Sequence, residues 1–237
     1  MVNIVTSSED GFDEQAYLDM LLGLKLDNKL IGVMRTFNDS LADAVINEEV
    51  KNLYGRDYYN EEILGLKFKV NAFSFFQTNI EAVERLYSEA LALIPDLDSK
   101  VVYDLYCGTG TISQLMASKA KKVYGIEIVQ DSVDAAIDNA KMNNIDNCHF
   151  ICGDVKAKLD EVTEKPDMIV VDPPRMGMHD KVVEMLASYG IEQILYISCN
   201  PNTMAMNLEK FSELGYEPVV MKAYDNFAKT KHVECRS

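Results

Sequence analysis

From Asp98 onward, short apolar runs alternate with amphipathic stretches, which is the sequence form of repeated strand and helix units built around a parallel sheet. The runs KVVYDLY (100–106), KKVYGIEI (121–128), CHFICG (148–153), DMIVVD (167–172) and QILYISC (193–199) predict strands. Helical spacing runs through QDSVDAAIDNAKMNN and PNTMAMNLEKFSEL between and after them. GYEPVVMKAY (215–224) and KTKHVEC (229–235) predict two closing strands joined by a short loop, making seven strands with the last pair antiparallel.

The N-terminal part breaks this rhythm. MVNIVTS, KLIGVMRTFN, EVKNLYG and GLKFKVNAF predict strands, with one helix, DEQAYLDMLLGLK, between the first two. NIEAVERLYSEALALIP then carries apolar residues at helical spacing and predicts the first helix packed on the main sheet. The expected organisation is a small α+β unit over residues 1–73 and an α/β domain over residues 74–237.

Composition narrows the setting. Hydrophobic residues at 48% and charged residues at 26% suit a globular chain with a full core. No run approaches the roughly 18 uninterrupted apolar residues of a membrane span, and MVNIVTSSEDGF lacks the basic start and apolar core of a signal peptide, so the expectation is a cytoplasmic protein without a membrane partner. The five cysteines, Cys107, Cys148, Cys152, Cys199 and Cys235, include no CxxC pair. On one strand Cys148 and Cys152 would stand about 13 Å apart, beyond disulfide reach. Free thiols and no metal site are expected, which leaves reactivity as the question. The net charge of −15 argues against a nucleic-acid partner, because phosphate contacts draw on Lys and Arg. AKKV, Arg175 and KTKH are the candidates for a local basic face.

DLYCGTG ends a predicted strand and opens a helix, so Gly108 and Gly110 let the backbone turn tightly and approach a ligand. Ser113 stands where a dinucleotide fingerprint has its third glycine, which favours S-adenosylmethionine over a nicotinamide cofactor. Glu127 ends the next strand, where a carboxylate can accept both ribose hydroxyls. Asp154, after the third strand, reads equally as an adenine contact or a helix N-cap. Asp172 in VDPPR ends the fourth strand and faces the ligand crevice, and Pro173 and Pro174 lock the backbone after it. Cys199 lies just past the fifth strand, and the helix beginning beside it is expected to lower its thiol pKa. Cys107 fits a buried, inert cysteine better. Glu234 reads as a surface carboxylate or as a base with a raised pKa.

Six ordered motifs, FSFFQTN, DLYCGTG, GIE, VDPPR, YISCNPNT and DNFAKTKHVE, resemble those of the RNA uracil-C5 methyltransferases, which make 5-methyluridine in transfer RNA and 23S ribosomal RNA. The resemblance covers residues 70–235 closely, and residues 1–69 look like part of that family's central domain. It implies a Rossmann-like, seven-stranded methyltransferase fold preceded by the small α+β unit, with S-adenosylmethionine as cofactor and RNA as partner, 23S ribosomal RNA ahead of transfer RNA. By the same resemblance Gln77, Tyr106, Glu127 and Asp172 contact S-adenosylmethionine, with Thr111 and Asp154 as weaker candidates. Cys199 is then the nucleophile and Glu234 the base. That chemistry suits uracil, whose C5 is a poor nucleophile until a thiolate adds at C6.

The departures shape a further expectation. The family often carries an N-terminal OB-type domain and iron–sulfur cysteines, whereas here no cysteine precedes Cys107, and Ala228 replaces the usual proline of the FPxT loop. The expectation is a shortened member. Two other readings compete with uracil methylation. Amino-group methyltransferases place an aromatic residue after Asp-Pro-Pro, and here Arg175 stands in that place. A non-catalytic module that holds S-adenosylmethionine or RNA is the second.

Overall fold

Strand β1 (Val2–Thr6) pairs parallel with β2 (Gly32–Phe37), and helix α1 (Glu14–Leu22) crosses between them. Asp13 caps α1 by accepting from Ala16 N–H at 2.9 Å. Strand β3 (Glu49–Gly55) adds antiparallel to β2 with a bulge at Val33/Met34. The computed structural model describes residues 1–9, 11–40, 49–230 and 233–237. Arg35 is buried in this small sheet because its charge is fully used: it donates to Thr6 Oγ1 at 2.8 Å and Glu14 Oε1 at 2.7 Å, and stacks on Phe37 at 4.3 Å and Phe12 at 4.8 Å.

A hairpin comes next, β4 (Tyr58–Ile63) and β5 (Leu66–Asn71), turned by Leu64 and Gly65 with φ of 49° and 83°. The chain divides into two compact units, residues 1–61 with 69–74, and residues 62–68 with 75–237. Sequence pattern did not show β4, because YYNEEI carries polar residues where a strand signal needs apolar ones.

In the larger unit, α2 (Ile80–Leu91) buries Val83, Leu86, Tyr87 and Ala90, the stripe its spacing predicts. The series continues with β6 (Val101–Leu105), α3 (Thr111–Ala117), β7 (Lys122–Glu127), α4 (Gln130–Met142), β8 (Cys148–Cys152), the short α5 (Val155–Lys158), β9 (Met168–Val171), α6 (Asp180–Ser188), β10 (Ile194–Ser198), α7 (Pro201–Glu213), β11 (Lys222–Tyr224) and β12 (Glu234–Arg236). These strands form one sheet in the order β11-β12-β10-β9-β6-β7-β8. The five from β6 to β10 run parallel, and β12 pairs antiparallel with both β10 and β11. Val102, Leu105, Ile126 and all of β9 are fully buried, as expected of strands covered on both faces.

The two closing strands are shorter than the sequence suggested. Residues 215–221 do not join β11, since Pro218 cannot donate to a ladder and Val219 is 93% exposed. Part of the expected last strand, residues 231–232, lies outside the described residues. From β6 the chain winds outward through β7 and β8, then returns to the other side of β6 with β9 and β10. That reversal puts a crevice beyond the carboxyl ends of β6 and β9, where ligands enter open α/β sheets.

Candidate active site

At the end of β6 the backbone enters the left-handed region three times, at Tyr106 (φ 66°), Gly108 (φ 53°) and Gly110 (φ 78°). A Cβ on Gly110 would stand 2.7 Å from the Phe150 ring, so that position admits only glycine, whereas a Cβ on Gly108 would meet no atom within 4 Å. Gly108 therefore faces open space, as a backbone that receives a ligand must. Glu127 braces the turn. One carboxylate oxygen accepts from Gly108 N–H at 3.0 Å and the other from Val129 N–H at 3.0 Å, and each keeps a lone pair for a further donor.

Register brings Asp172 beside this turn. Leu105 pairs with Val171, and Asp172 N–H donates to Leu105 C=O at 3.3 Å. Gln77, Tyr106, Thr111 and Asp172 line one cavity of ≈ 80 Å³ together with Phe76 and Tyr87. Four of the six cofactor residues named from the sequence thus converge, and Glu127 holds the rim. Asp154 does otherwise: it is exposed and caps α5 by accepting from Ala157 N–H at 3.2 Å. A larger and mainly apolar cavity of ≈ 430 Å³, lined by Leu195, Phe211 and Val219 among others, contains none of the named residues.

Behind the turn, Asp104 is fully buried and accepts from Ser113 Oγ at 2.5 Å, while its Oδ1 has no partner. Burial pushes its carboxyl up to about 7. Ser113, which stands in the place of a third fingerprint glycine, is there to reach Asp104. Cys107 is buried in the same place, and burial pushes its thiol well up.

On the other side of β9, the antiparallel register of β10 and β12 pairs Ile197 with Arg236 and Ser198 with Cys235. Cys199 directly follows β10 and Glu234 opens β12, and the two groups interact electrostatically. Glu234 is 2% exposed, and burial pushes its carboxyl up to about 7. Cys199 is half-buried and precedes α7, whose N-cap is Asn200. The expectation of a lowered thiol pKa does not hold: burial first, and then the charges of Glu234 and Asp172, push the Cys199 thiol up, with Arg175 opposing. Burial, reinforced by two nearby carboxyl groups, outweighs the first turn of a helix. The two loops around them are fastened together, since Asn200 Nδ2 donates to Arg175 C=O at 2.9 Å and Thr203 Oγ1 donates to it at 3.3 Å.

Sequence reasoning missed Tyr87 and Asn226. Tyr87 interacts electrostatically with Asp172, Glu234 and Asp104, and its helical spacing read as plain core. Asn226 is 3% exposed, donates through Nδ2 to Gln77 Oε1 at 3.0 Å, and accepts at its backbone C=O from Asn79 Nδ2 at 3.2 Å. Its place in DNFAKT, between two segments already singled out, was the available signal.

A seven-stranded sheet of this order, with a glycine turn and an acidic residue meeting at its switch point, is the Rossmann-like methyltransferase fold. The sequence profile of the tRNA (Uracil-5-)-methyltransferase family matches residues 25–165 and 156–236, and the chain belongs to that family. It is 45% identical over 234 residues to an uncharacterized RNA methyltransferase of Clostridium tetani, covering 99% of this chain and 51% of the relative. A similar protein of Caldanaerobacter subterraneus is 47% identical over 234 residues, covering 99% and 52%. Among solved structures, the Pyrococcus abyssi tRNA (uracil-54, C5)-methyltransferase in complex with S-adenosyl-L-homocysteine matches with a TM-score of 0.77 at 26% identity, covering 99% of this chain and 54% of that one. The chain spans about half the length of the curated relatives it matches.

Proposed function

We propose that this chain transfers a methyl group from S-adenosylmethionine to C5 of a uridine in RNA, with Cys199 as nucleophile and Glu234 as base. The observation that carries the reading is the interaction of Cys199 with both Glu234 and Asp172, the last of which lines one cavity with Gln77, Tyr106 and Thr111. Family membership and the Pyrococcus abyssi neighbour support it. In this reading residues 1–73 are a central-domain segment and residues 74–237 the methyltransferase domain.

S-adenosylmethionine fits the residues present: Gly108 leaves open space for it, Glu127 keeps free lone pairs at the rim, and Gln77, Tyr106, Thr111 and Asp172 surround the cavity. When bound it supplies an electrophilic methyl group. The Cys199 thiol first loses its proton to solvent water, and Sγ then bonds to uracil C6 while the C5–C6 π pair shifts into an enolate. After C5 has taken the methyl group, Glu234 accepts the C5 proton, the C5–C6 double bond re-forms, and the C6–S bond breaks with its electron pair returning to Sγ. A carboxyl held near pH 7 is a fitting base for that proton.

The sequence motifs favour 23S ribosomal RNA as substrate; the family description and the Pyrococcus abyssi neighbour make transfer RNA the second candidate. Labelled methyl transfer to unmodified samples of each decides between them. Incorporation at uridine C5 that disappears in Cys199→Ala is the expected result. Cofactor binding without methylation of either RNA would overturn it in favour of a non-catalytic binding module.

A further inference from the structure

Strands β11 and β12 have three residues each, and backbone pairing over so short a ribbon holds little by itself. Yet β12 carries Glu234. What secures it is a side-chain cluster on α2. Glu89 Oε2 accepts from Lys222 Nζ and from Tyr224 Oη at 2.7 Å, and Arg236 Nη2 stands 3.8 Å from the same oxygen. Arg236 Nε donates to Tyr224 Oη at 2.8 Å. Both strands are therefore bound to one carboxylate, and the register places Tyr224 opposite Glu234 and Lys222 opposite Arg236.

Glu234 and Arg236 are two apart on a strand, so their side chains share a face, and both are buried. A buried guanidinium seeks a carboxylate. The carboxylate that meets it is Glu89 from α2, while Glu234 stands two residues away on its own strand. Arg236 Nη1 has no partner, so this guanidinium keeps spare donors.

We propose that Glu89 is a positioning residue for Glu234: it fixes the ribbon that carries Glu234 and draws the Arg236 guanidinium away from that carboxylate. This rests on the reading of Glu234 as the base. Among the described residues, the groups that interact with Glu234 or stand beside it are Tyr87 from α2, Asp172 after β9, Cys199 after β10, Tyr224 on β11, and Cys235 and Arg236 on its own strand. Arg236 is the one cation in that set. Glu89 itself lies well below the usual carboxylate range, at about 2, because Lys222, Tyr224 and Arg85 all donate to it, so it is charged at neutral pH.

The test is a carbon-13 NMR titration of the whole chain labelled at glutamate Cδ, with the Glu234 signal assigned by its loss in Glu234→Gln. In Glu89→Gln the guanidinium is released toward Glu234, whose acidity should rise about tenfold or more, as for a carboxylate gaining a cation within a few ångströms. Tyr224→Phe removes the hydroxyl that bridges Arg236 and Glu89, leaving their direct contact at 3.8 Å, and should move the midpoint the same way by less. An unchanged midpoint in folded Glu89→Gln and Tyr224→Phe would overturn the proposal, as would loss of folding in both, which would make Glu89 a general anchor. If Glu89→Gln fails to fold, Tyr224→Phe alone decides. Trapping on 5-fluorouridine RNA, which needs Cys199 but no proton removal, should persist in Glu89→Gln, while the pH at which turnover climbs should move down with the Glu234 midpoint. Should Glu234→Gln turn over like the wild type, the base assignment fails and the titration result still stands on its own.

Discussion

Cys199 follows the last residue of β10 and Glu234 is the first of β12, and the two interact electrostatically. The strands are antiparallel, so the carboxyl end of β10 meets the amino end of β12, which brings together a thiol and a carboxyl from distant segments. In the proposed reaction they serve successive steps and should fail differently. Cys199→Ala should abolish methyl transfer and any denaturation-stable adduct with 5-fluorouridine RNA. Glu234→Gln should add to the ring and methylate but release product slowly, so that protein–RNA adduct accumulates on ordinary substrate. Gel analysis under denaturing conditions reads both. Peptide mapping that finds the RNA on Cys107, Cys148, Cys152 or Cys235 would remove Cys199 as nucleophile.

Glu127 spends one oxygen on Gly108 N–H and the other on Val129 N–H. Glu127→Ala therefore removes the brace of the turn and, in the proposed binding mode, the acceptor for two ligand hydroxyls. Losing hydrogen bonds to a charged group suggests about 1.5 to 3 kcal/mol of weaker S-adenosylmethionine binding, a tenfold to hundredfold rise in Kd. Equal affinity of mutant and wild type by calorimetry would take Glu127 out of the site.

The five parallel strands were legible because strands covered on both faces read as unbroken apolar runs, and β9 is the plainest case. Gln77, Tyr106, Thr111 and Asp172 were legible as site residues through the motifs that carry them, and the structure gathers them round one cavity. Asp154 read equally as ligand contact and as cap, and its hydrogen bond to Ala157 N–H shows the cap. What the sequence hid depends on distant pieces meeting. The thiol of Cys199 looked acidic from its helix, and only the folded chain shows the burial, joined by Glu234 and Asp172, that raises it. Tyr87 and Asn226 join the site through contacts that no local pattern encodes.

The two glycines of the turn should respond in opposite ways to alanine. Gly110→Ala places a Cβ 2.7 Å from Phe150 and 2.9 Å from the Ala136 Cβ at a φ of 78°, so strain and overlap together should cost about 2 to 4 kcal/mol and lower Tm clearly. Gly108→Ala meets nothing within 4 Å and should cost only the left-handed strain of about 1 kcal/mol. Its penalty should appear in S-adenosylmethionine affinity instead. Thermal unfolding beside calorimetry separates the two, and a Gly108→Ala protein with unchanged affinity would show that the open space at that turn receives no ligand.

Stability and activity should depend on pH with opposite signs. Glu234 has an ordinary value near 4.5, and burial raises it to about 7 in the folded protein. Between those two values the folded state keeps a proton that the unfolded chain has released. Stability from this group is therefore present below pH 4.5 and is lost as pH rises through 7. Asp104, raised from 3.8 to about 7, acts in the same direction. Glu234→Gln keeps the shape of the neutral acid without its proton, so it should be more stable than wild type at pH 8 by about 1 to 3 kcal/mol, and the difference should shrink toward pH 5. Methyl transfer takes the other branch, because the base works only when ionised, and turnover should climb through pH 7 and go on rising while the raised Cys199 thiol ionises. Urea unfolding of the two proteins at pH 5, 6.5 and 8 measures the first effect. A Glu234→Gln protein no more stable than wild type at pH 8 would mean that the carboxylate is well solvated there, and the base would then have to be sought elsewhere around Cys199.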